Sequence, residues 1–205
     1  KAYQQVVDIT GVIEDFRSLV QFQIAETRFL QKEYTEAAEE YKKYVRLFPN
    51  SEVAGKAFFY SGWSEFNLKE YETAIATLQE MLEKYPEDRY APDAQFRIAS
   101  AHYEMGMYEL AIDKAQGVLN NFPSSPVIAQ ATYLKANALD QMERDEEAIA
   151  AYREVRGLYD RMFELLRGSF REGKNVDFEN YRQLFETSSL RVAEIFRKTD
   201  QFEDA

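Results

Sequence analysis

Apolar and polar positions recur along this chain at a step of 37 residues. Ala37, Ala74, Ala111 and Ala148 fall in register. So do Phe22, Phe59, Phe96 and Tyr133, and so do Phe48, Tyr85, Phe122 and Tyr159; Pro49, Pro86 and Pro123 keep the same step. A period in this range marks a stacked repeat, in which each unit buries its apolar face on the next. Within residues 53–89, Ala57, Phe58, Ser61, Gly62, Glu65 and Phe66 share one helical face. A polar turn follows over 67–70. Tyr71, Ala74, Ile75, Leu78, Met81, Leu82 and Tyr85 then form a second helical stripe, which Pro86 ends because it lacks an N–H and clashes with the preceding turn. The pattern predicts an αα-hairpin of antiparallel neighbours. Ala25, Gly62, Ala99 and Ala136 form a small-residue column on the first helix, and Ala37, Ala74, Ala111 and Ala148 one on the second. Each marks a place where two helices must approach closely.

The step fails after Ala148. Ile149, Tyr152, Val155, Tyr159, Met162, Phe163, Leu166 and Phe170 continue one apolar stripe, and Asp160 stands where a proline is expected. These residues predict one extended helix near 145–171, ending around Gly173-Lys174-Asn175. It either fills a bend or projects towards a partner through Tyr159, Met162, Phe163, Leu166 and Phe170. Ala193 and Ala205 are spaced as Ala25 and Ala37 are, with Phe202 in the place of Tyr34, so 176–205 reads as the first helix of a truncated repeat. Ala2–Val6 is similar to Ala151–Val155, so 1–15 reads as the end of a preceding repeat. Regular repeats are expected over 16–52, 53–89 and 90–126, and a repeat with a lengthened second helix over 127–175. The opening on Lys1 rather than Met, and the lack of polar capping helices, suggest a piece of a longer repeat protein.

The combination of Gly62, Phe66, Tyr71, Ala74 and Pro86 resembles a tetratricopeptide repeat (TPR), three residues longer than the usual unit of about 34. Leu47-Phe48-Pro49-Asn50-Ser51, Asn121-Phe122-Pro123-Ser124-Ser125 and the stretch Ala91–Ala99 are similar to the repeats of bacterial envelope TPR proteins, of the Tol-Pal-associated and outer-membrane assembly lipoprotein types. The resemblance implies an all-α, right-handed α-solenoid whose first helices line a concave, partner-binding face. By column, that groove would hold Phe22, Glu26, Phe29, Phe59, Trp63, Phe66, Phe96, Tyr103, Tyr133 and Asn137, or these aromatics would be packing within the repeats. A Lys/Asn/Arg clamp for a chaperone tail is not expected, since its lysine column holds Phe22, Phe59, Phe96 and Tyr133. A hydrophobic or basic helix fits that groove better than an acidic peptide.

Composition narrows the chemistry. A net charge of −11 argues against nucleic acid or an anionic membrane as the main partner. The absence of cysteine removes disulfides, thiolate metal sites and cysteine nucleophiles. His102 is the sole histidine, so no His-based metal site can be built, and no nucleophile-elbow motif accompanies it. Acidic runs such as Glu39-Glu40 and Asp145-Glu146-Glu147 sit at helix starts or on exposed faces, where they complement the helix dipole or stay solvated. No cofactor, metal or catalytic residue is expected. The sequence reads as a protein-interaction scaffold, periplasmic or outer-membrane-associated, with a cytoplasmic location as the alternative. Two other readings stay open: a structural strut or self-assembling subunit, and the regulatory arm of an enzyme whose catalytic domain lies elsewhere.

Overall fold

The computed structural model describes the backbone of residues 2–169 and 178–198, and the side chains of 16–158 and 182–195. Among the described residues the regular structure is entirely helical: α1 (Ala2–Leu30), α2 (Tyr34–Leu47), α3 (Ala54–Asn67), α4 (Tyr71–Lys84), α5 (Ala91–Glu104), α6 (Tyr108–Asn121), α7 (Ile128–Gln141), α8 (Asp145–Ser169) and α9 (Phe178–Lys198). The 37-residue step of the sequence is kept by the helices, since α3, α5 and α7 start at Ala54, Ala91 and Ile128, and α2, α4, α6 and α8 at Tyr34, Tyr71, Tyr108 and Asp145. The expected all-α hairpin repeat is what forms.

The turn inside each hairpin repeats atom for atom. Lys32, Lys69, Gly106 and Glu143 all have positive φ, at 63°, 64°, 72° and 56°. In the second hairpin, Lys69 N–H donates to Phe66 O and Glu70 N–H to Glu65 O, each at 3.0 Å, and the other three turns pair in the same way. This is a Schellman closure, which satisfies carbonyls that the end of the helix leaves open. Only one of the four left-handed positions is glycine. The link between hairpins repeats as well: Ser51 N–H reaches Phe48 O and Ala54 N–H reaches Ser51 O, and the same pairs recur at Asp88/Tyr85 with Ala91/Asp88 and at Ser125/Phe122 with Ile128/Ser125.

The chain forms two compact units, 1–101 and 102–205, with the boundary inside α5. In the first unit α1 packs on α2, α2 on α3 and α3 on α4. Its core holds Phe22, Ala25, Tyr41, Tyr44, Phe58, Phe59, Leu78, Met81 and Ile98. Gly62 marks a close helix crossing. A Cβ there would lie 2.6 Å from Leu78 Cγ and 2.7 Å from Leu78 Cδ2. The small-residue column is therefore a steric requirement at this crossing. In the second unit α7 packs on α6 and α8, and α9 on α8 and α7. Its core gathers Ala136, Leu139, Ala148, Ile149, Tyr152 and Ile195.

Three features depart from the regular frame. α1 is continuous across 15–16, where a junction between repeats was expected; no proline interrupts it, and Gly11 alone costs only about 1 kcal/mol of helix propensity. α8 runs for 25 residues through Asp160, as the unbroken stripe implied. Ala193, which the period aligns with Ala25, Gly62, Ala99 and Ala136, is exposed, whereas those four are buried. Among the described residues no second helix packs over it, and Phe202 and Ala205 lie outside them.

Candidate functional site

In the first unit, α1, α3 and α5 each bring a polar-aromatic stripe to one place. At helical spacing, α3 carries Lys56, Phe59, Tyr60, Trp63 and Phe66 along one side, and α1 carries Phe22, Glu26 and Phe29. The rings form a continuous ladder. Tyr41 stacks on Tyr60 with centroids 5.7 Å apart, Tyr60 stacks on Trp63 at 5.4 Å, and the Arg97 guanidinium lies 4.4 Å from the Trp63 ring centre. Phe29 meets Trp63 at 5.2 Å and Tyr60 edge-on at 5.0 Å. Phe66 stands edge-on to Tyr71 at 5.4 Å and 5.5 Å from the Arg97 guanidinium. At the other end Lys56 bonds Glu26 at 3.0 Å and sits 4.7 Å above Phe22.

The columns expected to line a groove separate by depth. Phe22 and Phe59 are 7% and 2% exposed and belong to the core, so they offer no surface to a partner; Tyr41 and Tyr44 close over the first, and Trp63 and Tyr90 over the second. These two rings fill space between helices. Glu26, Phe29, Trp63 and Phe66 are half-buried; Phe29 meets Trp63, Phe66 joins them through Arg97, and Glu26 stays with Lys56. Phe96 is half-buried too, with the Arg97 guanidinium 5.9 Å from its ring. In the second unit Tyr103 leans on Tyr108 at 5.4 Å, Tyr133 on Tyr152 at 5.8 Å, and Asn137 Oδ1 accepts a hydrogen bond from the Tyr152 hydroxyl at 2.6 Å. The side chains of Tyr159, Met162, Phe163 and Leu166 lie outside the described ones, and Phe170 outside the described residues.

Arg97 was not among the residues singled out in the sequence. It is half-buried, and among the described residues it has no carboxylate within ion-pair distance and no hydrogen-bond partner. Burial pushes its guanidinium below the ordinary value, and the field of Asp93, one helical turn back, opposes this. Burial raises Asp93 in turn, against the pull of Arg97. A cation over an indole is stabilised by about 0.5–2 kcal/mol, more as water is excluded. The contact with the ring leaves the guanidinium N–H groups available to an acceptor. Its only signal in sequence is a charge in a column that otherwise holds Gln23, Tyr60 and Leu134.

His102 Nδ1 is buried without a hydrogen-bond partner, and among the described residues no group of three His, Cys, Asp or Glu could hold a metal ion. No described helix is long and apolar enough to cross a membrane.

A family model described as YfiO, outer membrane lipoprotein, matches residues 51–176, and a tetratricopeptide-repeat model matches 19–51. No curated protein matches the chain. Among solved structures the chain is similar to MamA (residues 41-end) from Desulfovibrio magneticus RS-1, at 20% identity and a TM-score of 0.58, over 92% of this chain and 97% of that one. The apo form of RapI is similar at 16% identity and a TM-score of 0.65, over 92% of this chain and 56% of that one. The Rap conjugation gene regulator of plasmid pLS20, in complex with the Phr* peptide, is similar at 16% identity and a TM-score of 0.55, over 90% and 54%. At these identities the likeness is one of fold.

Proposed function

Because the chain belongs to the YfiO family of outer membrane lipoproteins, we propose that it is a non-catalytic scaffold of a bacterial envelope complex, which captures an extended or helical segment of a partner protein on the Trp63–Arg97 face of its first unit. The observation that carries this reading is the ladder itself. It ends in a half-buried indole capped by a cation without an ion-pair partner among the described residues. An apolar side chain of the partner would extend the cluster beside Phe29 and Phe66, and a carbonyl or carboxylate would meet the free N–H edge of Arg97. A large aromatic and an arginine at one desolvated spot are the residue types that dominate binding energy at interfaces. The Rap regulator of pLS20 offers a precedent of the same fold in complex with a peptide. The family description, outer membrane lipoprotein, supports a location at the outer membrane.

The test uses the purified protein as bait against a solubilised envelope fraction, compared with Trp63→Ala and Arg97→Ala. Both variants should keep the far-UV CD of the parent and lose most of the retained partner. Recovery of the same partner in the same amount by both variants would sink the assignment.

A further inference from the structure

The first unit leaves a second surface open, on the outer side of α1. Phe16, Leu19 and Ile24 are 65%, 54% and 43% exposed, and Val20 is exposed beside them. They recur at i, i+3/i+4 and i+8, one face of the helix. A shallow groove of about 470 Å³ runs along Val20, Ile24 and Thr27, edged by Gln23 and Gln31. Scattered exposed apolar residues need no explanation, but four large ones on one helix face mark an interaction site.

The repeat says what belongs there. One step along the chain, Phe16, Val20 and Ile24 correspond to Val53, Ala57 and Ser61 of the second hairpin. Ala57 and Ser61 are buried, and the helix that packs on this side is α2, close enough for Ser61 Oγ to donate to Ala38 O at 3.3 Å. Two steps along, Ala94 and Ile98 are buried in turn. The same face of the same helix type is thus covered in both later repeats and open in α1. Its residues are also larger in α1, with valine for Ala57 and isoleucine for Ser61. The cover must therefore be small where α2 is already small.

We propose that the open face of α1 docks an amphipathic helix of the α2 type, lying antiparallel to α1 and presenting a stripe of small residues to Val20 and Ile24, with larger rings either side. α2 shows the pattern: Ala37 and Ala38, then Tyr41, Tyr44 and Val45, all buried. Arg28, the one charged residue of the groove lining, is paired with Glu33, so charge contributes little to the choice of partner. The surface is separate from the Trp63–Arg97 face, and its test does not depend on that one.

The probe is a labelled synthetic peptide with the α2 sequence, Tyr34–Leu47, titrated into the ¹⁵N-labelled protein. Binding should move amide signals of residues 16–31 and weaken by about tenfold or more in Ile24→Asp, an exposed position whose change leaves the core intact. It should be unaffected by Trp63→Ala. No binding at about 1 mM peptide, or shifts centred away from α1, would overturn the proposal. So would sedimentation that shows a dimer abolished by Ile24→Asp, because the face would then be covered by a second copy of α1.

Discussion

The crossing at Gly62 allows a prediction whose sign is opposite to that of helix propensity. Replacing a helical glycine by alanine gains about 1 kcal/mol where the methyl is free. At Gly157 in α8 a Cβ meets nothing within 4 Å, so Gly157→Ala should stabilise by about that amount. At Gly62 the same methyl lies 2.6 Å from Leu78 Cγ. Carbon pairs rest at about 3.5–4.0 Å, so the helices must part or Leu78 must move by about 1 Å. Leu78 is wholly buried in the packed core. Overpacking of this kind costs about 1–3 kcal/mol, which outweighs the propensity gain and leaves Gly62→Ala about 1 kcal/mol less stable than the parent. The two alanine variants should therefore differ by about 2 kcal/mol. Urea unfolding followed by far-UV CD measures both. Trp63, the sole tryptophan, sits next to the mutated position and reports the first unit separately. Leu78→Ala supplies the control, because in that background Gly62→Ala should become neutral or stabilising. If Gly62→Ala alone stabilises as Gly157→Ala does, the steric account of the small-residue column is wrong.

Other outcomes follow from the same geometry. Lys69→Gly should stabilise, and Gly106→Ala destabilise, by about 1 kcal/mol each, since both positions hold a left-handed backbone that only glycine adopts without strain; thermal unfolding checks both. Phe59→Ala should cost about 3–5 kcal/mol, in keeping with a buried ring rather than a groove residue, and shows as a large fall in the urea midpoint. His102 is held below its ordinary value of 6.5, first by burial and then by Lys114. The unfolded chain thus takes up the proton first, so stability is full above 6.5 and falls as pH drops through the folded value. Urea midpoints measured across that range should drop less in His102→Gln than in the parent.

Much of this was legible in the chain because a repeat states its own register. The alanine and aromatic columns, with the prolines, carried the helical hairpin and its 37-residue step, and the missing proline at 160 foretold the long α8. The hairpin turn was read only as polar. Its left-handed residue is Lys32, Lys69 or Glu143 in three of the four cases, and the Schellman bonds that hold it are backbone to backbone, so no side chain advertises them. The site was half legible. Phe29 meets Trp63, and Phe66 shares the Arg97 guanidinium with it, whereas Glu26 pairs with Lys56 at the other end of the ladder. Phe22 and Phe59 were placed on the same face by column, yet a side chain one position further round a helix turns from the groove into the crossing.

What the amino-acid sequence determined by itself is the unit: its period, its helices and the small residues where they touch, because these are local patterns repeated until chance is excluded. What only the tertiary structure decided is depth and partnership. Whether an aromatic is a wall or a floor depends on which rings from other helices close over it, as Tyr41 and Tyr44 do over Phe22. Arg97 gains its meaning from Trp63, a residue of another helix, at a distance no periodicity encodes. The open face of α1 likewise becomes visible only against α3, where the equivalent residues are covered by a neighbouring helix.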